Sequence, residues 1–148
     1  MSPAQKALVQ ASWDAAFPQA ECLAHLFYHR LFVTMPATRA LFENVDAVAQ
    51  SRKLVAALTT VVQGLDDLDS LEPPLAALGS RHASYGVEDS HYDAVGAALL
   101  WAFETVLRPQ WTDELKAAWT EAYDIVARTM RRAAGTNSPM PTGHCSRP

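Results

Sequence analysis

Three side chains in this sequence are of the wrong type for the helical stripes they occupy. His82 ends the run Leu71, Leu75, Leu78, at steps of four, three and four. Tyr28 adjoins Phe27, in a segment where Leu23, Phe27 and Leu31 recur every four residues. Gln50 stands one turn before Leu54, at the head of the stripe Leu54, Leu58, Val61, Leu65. Each has a plain structural explanation: a core histidine bonded to a carbonyl, or a Tyr and a Gln that reach backbone or solvent. Each also has a chemical one. An imidazole nitrogen is a good ligand for iron, and a haem iron held by one His needs an apolar slot behind it. A phenol O–H and an amide N–H pointing into a pocket are donors for a ligand that carries negative charge. A buried donor left without any partner costs about 1–3 kcal/mol, so these residues must be answered by something.

The elements that position them are helices. Ser2 and Pro3 are a cap and a first-turn proline. Pro18 breaks that helix and opens a second, which carries Tyr28. Pro36 begins a short turn that ends near Phe42, and a long helix then runs from about Asp46 to Leu65. Asp66 to Ser70 reads as an acidic, solvated connector. The His82 helix follows, with Pro73 and Pro74 expected in its first turn, where a missing N–H does no harm. Gly86 closes it. Ser90 is expected to cap the next helix, whose inner face is Tyr92, Val95, Leu99, Phe103 and Val106. Pro109 ends that helix, and Thr112 caps the last, with Leu115, Trp119, Ala122, Val126 and Met130 inward. No alternating β-branched run and no hairpin turn occurs. The pattern predicts an all-α domain of six or seven helices over residues 1–134, and a disordered tail over 135–148.

Composition narrows the function. The chain has 148 residues, 49% of them hydrophobic, which predicts a single domain with a real core and no fused reductase. A net charge of −4 gives no electrostatic case for nucleic acid or an anionic membrane. The uncharged run Leu54–Leu65 is too short to span a bilayer. Cys22 and Cys145 form no CxxC or CxxCH motif, so a redox dithiol and covalent haem attachment are unsupported. No signal peptide is visible, and a reduced, cytoplasmic protein is expected. His25, His29 and His91 read as helix-surface or helix-start residues, and Trp101, Trp111 and Trp119 as helix contacts.

Taken together, LFYHRLFVTMPATRALF, QSRKL and LAALGSRHASYGV resemble the globin family, over residues 1 to about 134. The likeness is to neuroglobin-like globins and to single-domain and flavohaemoglobin-type bacterial globins. Trp13, Phe32, Pro36 and Phe42 stand where such globins have a first-helix Trp, a second-helix Phe, a corner Pro and the Phe that wedges the haem. The resemblance implies a globin fold around a pocket for one non-covalent haem b, with His82 as the iron ligand. It implies Tyr28, Gln50 and Leu54 on the ligand side, with Gln50 where animal oxygen carriers have a His. Phe42, Leu54, Leu78 and Tyr92 would line the cofactor, and Lys53 and Arg81 would suit its propionates, or else be plain surface cations.

Two departures from the family pattern stand out. The segment between Phe42 and Gln50 is short, so the link helix of animal globins is expected to be short or missing. The Glu that accompanies the Tyr92 position in flavohaemoglobin-type globins falls at Ala134, which implies a less electron-donating proximal His.

The resemblance implies reversible O₂ binding for storage, transport or scavenging, with O₂ and also NO or CO as ligands. The alternatives are a nitric oxide dioxygenase served by a separate reductase, and a haem-based gas sensor. A helical interaction module without haem is the plain reading. A monomer or homodimer is expected.

Overall fold

The computed structural model describes residues 1–136. Positions 137–148, which hold most of the expected tail with His144 and Cys145, lie outside the described residues. Six α-helices follow one another: α1 (Pro3–Ala16), α2 (Ala20–Thr34), α3 (Ala47–Gln63), α4 (Leu68–Ser84), α5 (Asp89–Leu107) and α6 (Asp113–Thr136). Short 3₁₀ turns occupy Phe17–Gln19, Pro36–Phe42 and Arg108–Gln110. Among the described residues there is no strand, as the sequence pattern predicts.

The helix starts follow local chemistry. The Ser2 hydroxyl accepts from the Gln5 N–H while the Gln5 side chain accepts from the Ser2 N–H, both at 3.1 Å. Thr112 caps α6 by accepting from the Leu115 N–H at 3.1 Å. Two expectations fail. Ser90 is not the cap of α5, which begins a residue before it at Asp89, with Glu88 as the cap residue. There the His91 ring reaches back, its Nδ1 accepting from the Glu88 N–H at 2.7 Å, a partner that a Ser in the first turn does not supply. Pro73 and Pro74 do not lie in the first turn of α4, because the helix already starts at Leu68 and takes in Asp69 and Ser70. The prolines are tolerated because that face is exposed, so water can satisfy the carbonyls they leave without an N–H partner. At the far end, α6 runs to Thr136, two residues past the boundary expected at 134.

The core draws on all six helices, and its aromatic centre lies where α1, α5 and α6 meet. Phe103 stacks on Trp119 with ring centroids 4.0 Å apart, and Trp13 meets Phe103 edge-on at 6.2 Å. Each such side chain contributes about 1.5–3 kcal/mol by leaving water. The Trp119 Nε1–H donates to the Ser12 hydroxyl at 2.8 Å, and Ser12 donates to the Val9 carbonyl at 3.0 Å.

Packing then leaves one side loose. α4 lies on α6, so close that a Cβ at Gly79 would run into the Met130 backbone. α3 packs on α2 and α1. α3 and α4 barely touch each other, and apolar residues on both, Leu54 and Val55 on α3 and Leu78 on α4, stay half-buried.

Candidate functional site

The α4 stripe delivers His82 as its sequence predicts. Leu71 and Leu75 are buried, Leu78 is half-buried, and His82 follows one turn on. The His82 Nδ1 lies 2.7 Å from the Leu78 carbonyl oxygen. A carbonyl only accepts, so Nδ1 carries the proton and Nε2 keeps its lone pair. Burial pushes the His82 pKa below the ordinary histidine value, partly offset by the Leu78 hydrogen bond and reinforced by the Arg81 charge. The ring is therefore a neutral imidazole with its orientation set. Its backbone is fixed as well. Gly86 turns with φ +86°, its N–H donates to the Ala83 carbonyl at 3.1 Å, and the Val87 N–H donates to the His82 carbonyl at 3.1 Å. This is a Schellman stop built on His82 itself, and a Cβ-bearing residue at Gly86 would strain it.

Among the described residues no three His, Cys, Asp or Glu side chains come together as a metal site. A porphyrin iron brings four ligands of its own, so a single imidazole nitrogen such as His82 Nε2 is enough to hold it. That chemistry, together with the half-buried Phe42, Leu54 and Leu78, fits a planar apolar cofactor.

Tyr28 and Gln50 meet, although they lie on different helices. The Tyr28 hydroxyl donates to the Gln50 backbone carbonyl at 3.5 Å, a long contact that leaves most of its donor strength unused. Burial raises the Tyr28 pKa, while a hydrogen bond with the Gln50 side chain pulls it the other way. The phenol therefore stays protonated and remains a donor. Gln50 is held at the start of α3 by Asp46, whose carboxylate accepts from the Ala49 N–H at 3.3 Å and whose carbonyl accepts from the Gln50 N–H at 2.9 Å. Phe42 packs edge-on to Tyr28 at 5.5 Å and lies 5.6 Å from Phe32, and Arg39 covers the Phe32 ring at 4.7 Å. Only positions 43–46 join Phe42 to α3, and no helix forms there, as the short spacing predicts.

The remaining predicted residues divide. Lys53 and Arg81 are exposed, on α3 and α4. Tyr92 is buried in the first turn of α5, and its hydroxyl has no hydrogen-bond partner. Burial raises its pKa, and Arg131 opposes that rise. Ala134 brings no carboxylate, and the group against the Tyr92 ring is instead the Arg131 guanidinium, 5.0 Å from its centroid. Arg131 also lies 3.4 Å from Asp93 and 3.7 Å from Asp89. His25, His29 and Cys22 are exposed on α2, away from the buried stripe.

Sequence reasoning missed the supports. Gly79 lies one turn before His82 and lets α4 approach α6. Tyr123 donates to the Tyr92 carbonyl at 2.6 Å, over Gly96, where a Cβ would meet its ring at 2.7 Å. A glycine inside a helical stripe was the one available signal.

The globin family model matches residues 25–130. The chain is 30% identical over 135 residues to an anaerobic nitrite reductase of Oryza sativa subsp. indica, covering 88% of this chain and 93% of that one. It is 34% identical over 129 residues to a flavohemoprotein of Bordetella parapertussis, covering 86% of this chain but only 32% of that one. A flavohemoprotein of Bordetella bronchiseptica matches to the same extent.

Proposed function

Because this chain belongs to the globin family, we propose that it binds haem b and uses it to bind O₂ reversibly. The observation that carries this reading is His82, a neutral imidazole whose Nδ1 is tied to Leu78 at 2.7 Å and whose Nε2 is left for a metal. When bound, the haem supplies an iron that takes up O₂ in its ferrous form. His82 Nε2 would hold that iron, and Phe42, Leu54 and Leu78 would cover the ring. The propionates would meet Lys53 and Arg81. Without a CxxCH motif the attachment is non-covalent.

Tyr28 and Gln50 would supply two hydrogen-bond donors for the oxygen ligand, each worth about 1 kcal/mol or more in a dry pocket. An amide is a poor iron ligand beside an imidazole, so Gln50 would not compete for the position O₂ takes. His25 and His29 point to solvent instead.

A second reading is nitric oxide dioxygenase with a separate reductase, favoured by the likeness to the flavohemoproteins, of which this chain spans about a third. Against it, the Tyr92 hydroxyl has no carboxylate partner, so the Tyr and Glu pair of the flavohaemoglobin pattern is not reproduced, and the partner of the His82 ring is the Leu78 carbonyl. The name of the Oryza relative puts nitrite among the ligands to be tried.

The test is the absorption spectrum of the purified, haem-loaded protein: oxidised, reduced, and with O₂, CO, NO and nitrite. A reduced spectrum typical of a single histidine ligand, shifting reversibly with O₂, is expected. Absence of a Soret band in protein made with ample haem would overturn the proposal. Rapid NO consumption with an added flavin reductase would move it to the dioxygenase.

A further inference from the structure

Between the end of α2 and the start of α5 runs a surface groove of about 440 Å³, lined by Arg30 and Met35 on one side and by Asp93, Ala94, Ala97 and Ala98 on the other. That volume is in the range of small-molecule sites, roughly 300–1,000 Å³. None of these residues belongs to the candidate haem site, so the groove stands or falls separately from it.

Its two ends differ in charge. Trp101 follows Ala97 by one turn, and the Arg30 guanidinium lies 4.9 Å from the Trp101 ring centroid. Among the described residues no carboxylate lies within ion-pair distance of Arg30. Asp93 closes the other end, and its charge is already met by Arg131 at 3.4 Å. The groove therefore presents one cation without a carboxylate partner, placed over an indole ring, beside an alanine floor. From Trp101 to Asp93 is eight residues of α5, about 12 Å at roughly 1.5 Å per residue. A guanidinium stacked on an aromatic is pre-oriented and matches a carboxylate with two parallel hydrogen bonds. The alanines give an apolar strip that a hydrocarbon chain can cover.

We propose that this groove binds a small amphipathic carboxylate, its head on Arg30 beside Trp101 and its chain along Ala97 and Ala94 toward Met35. A fully polar anion would leave the floor uncovered, and an alkyl cation would be repelled by Arg30.

Calorimetric titration of decanoate into the haem-loaded full chain tests this, with decanol and decyltrimethylammonium in parallel. A single saturable decanoate site is expected, with both other ligands at least tenfold weaker. Arg30→Gln should weaken decanoate by tenfold or more. Ala97→Leu, at an exposed position where a larger side chain fills the groove without touching the core, should abolish binding. Circular dichroism and the Soret spectrum should be unchanged in both variants, and the Trp101 indole resonance should shift on titration of the wild type only. Failure of decanoate to saturate, decanol binding as tightly as decanoate, or affinity unmoved by both substitutions would each overturn the assignment.

Discussion

Where α1 meets α6, the Trp119 N–H donates to Ser12 at 2.8 Å, and the Ser12 hydroxyl donates in turn to the Val9 carbonyl at 3.0 Å. Between α2 and α3, the Tyr28 hydroxyl meets only Gln50, whose backbone carbonyl lies a long 3.5 Å away. On α4, His82 has one nitrogen bound and the other left over. Both regions place polar groups among apolar ones, which costs about 1–3 kcal/mol for each group left without a partner. The first region closes that cost with its own neighbours and packs around them. The second leaves donor and acceptor capacity unspent, beside side chains that stay half-buried. A polar group held in place but not satisfied marks the side of a protein that receives something.

The strongest way to break this comparison is His82→Ala. It removes the only ligand offered at the end of the α4 stripe, so nearly all haem affinity should go, while the α1–α5–α6 core keeps its helices. Haem titration followed at the Soret band, with circular dichroism of the same samples, measures both. A variant with the normal histidine spectrum would show that the ligand lies elsewhere.

Gly79→Ala should come next. The added Cβ meets the Met130 backbone, not a side chain that can rotate away, so the cost should reach about 3 kcal/mol. Because Gly79 is one turn before His82, haem affinity should fall with stability. Urea denaturation of apo and loaded protein reads the two losses. An apo protein as stable as the wild type would mean that α4 is free to move off α6.

Most of this was legible in the sequence where periodicity and capping speak. The stripes of α2 to α6 and the Ser2 and Thr112 caps follow from spacing, and the missing link helix from setting that spacing against the globin pattern. His82, Tyr28 and Gln50 could be picked out because each interrupts an apolar pattern. What was not legible depends on contact between distant segments. Nothing in the neighbourhood of Tyr92 announces that Arg131, almost forty residues on, covers its ring. Ser90 looked like a cap because serine often is one, yet the His91 ring answers the Glu88 N–H instead. The prolines of α4 misled because the rule that bars them from helix interiors weakens on a face that water can reach.

Ser12→Ala sharpens the contrast from the closed side. It leaves the Trp119 N–H buried without an acceptor, in a region where Trp119 is 3% exposed. The expected cost is about 2 kcal/mol of folding stability, read as a shift in the denaturation midpoint. O₂ and CO release should be unchanged. A change in gas kinetics would mean that the two regions are coupled.

Tyr28→Phe is the counterpart on the open side, and its effect on folding should be the smallest of the set. The ring keeps its contacts with Phe27, Phe32 and Phe42, at 4.8, 6.2 and 5.5 Å. Only the hydroxyl goes, and its bond to Gln50 is long enough to be worth little. Stability should therefore stay within about 0.5 kcal/mol of wild type. If that hydroxyl instead serves the oxygen ligand, O₂ release from the haem-loaded protein should quicken by roughly tenfold, equivalent to about 1.4 kcal/mol. CO draws less charge to its outer atom, so its release should change much less. The pair of gases separates hydrogen bonding from shape, because a displaced helix or an altered cavity would change both rates. Gln50→Leu should act in the same direction with a smaller size. The double variant should fall short of the sum, since the two side chains touch and share one network. Stopped-flow release of O₂ and CO from the four proteins measures all of this. Equal changes for the two gases would make Tyr28 a packing residue like Trp119, and the distinction between the two sides of the molecule would then lose its functional meaning.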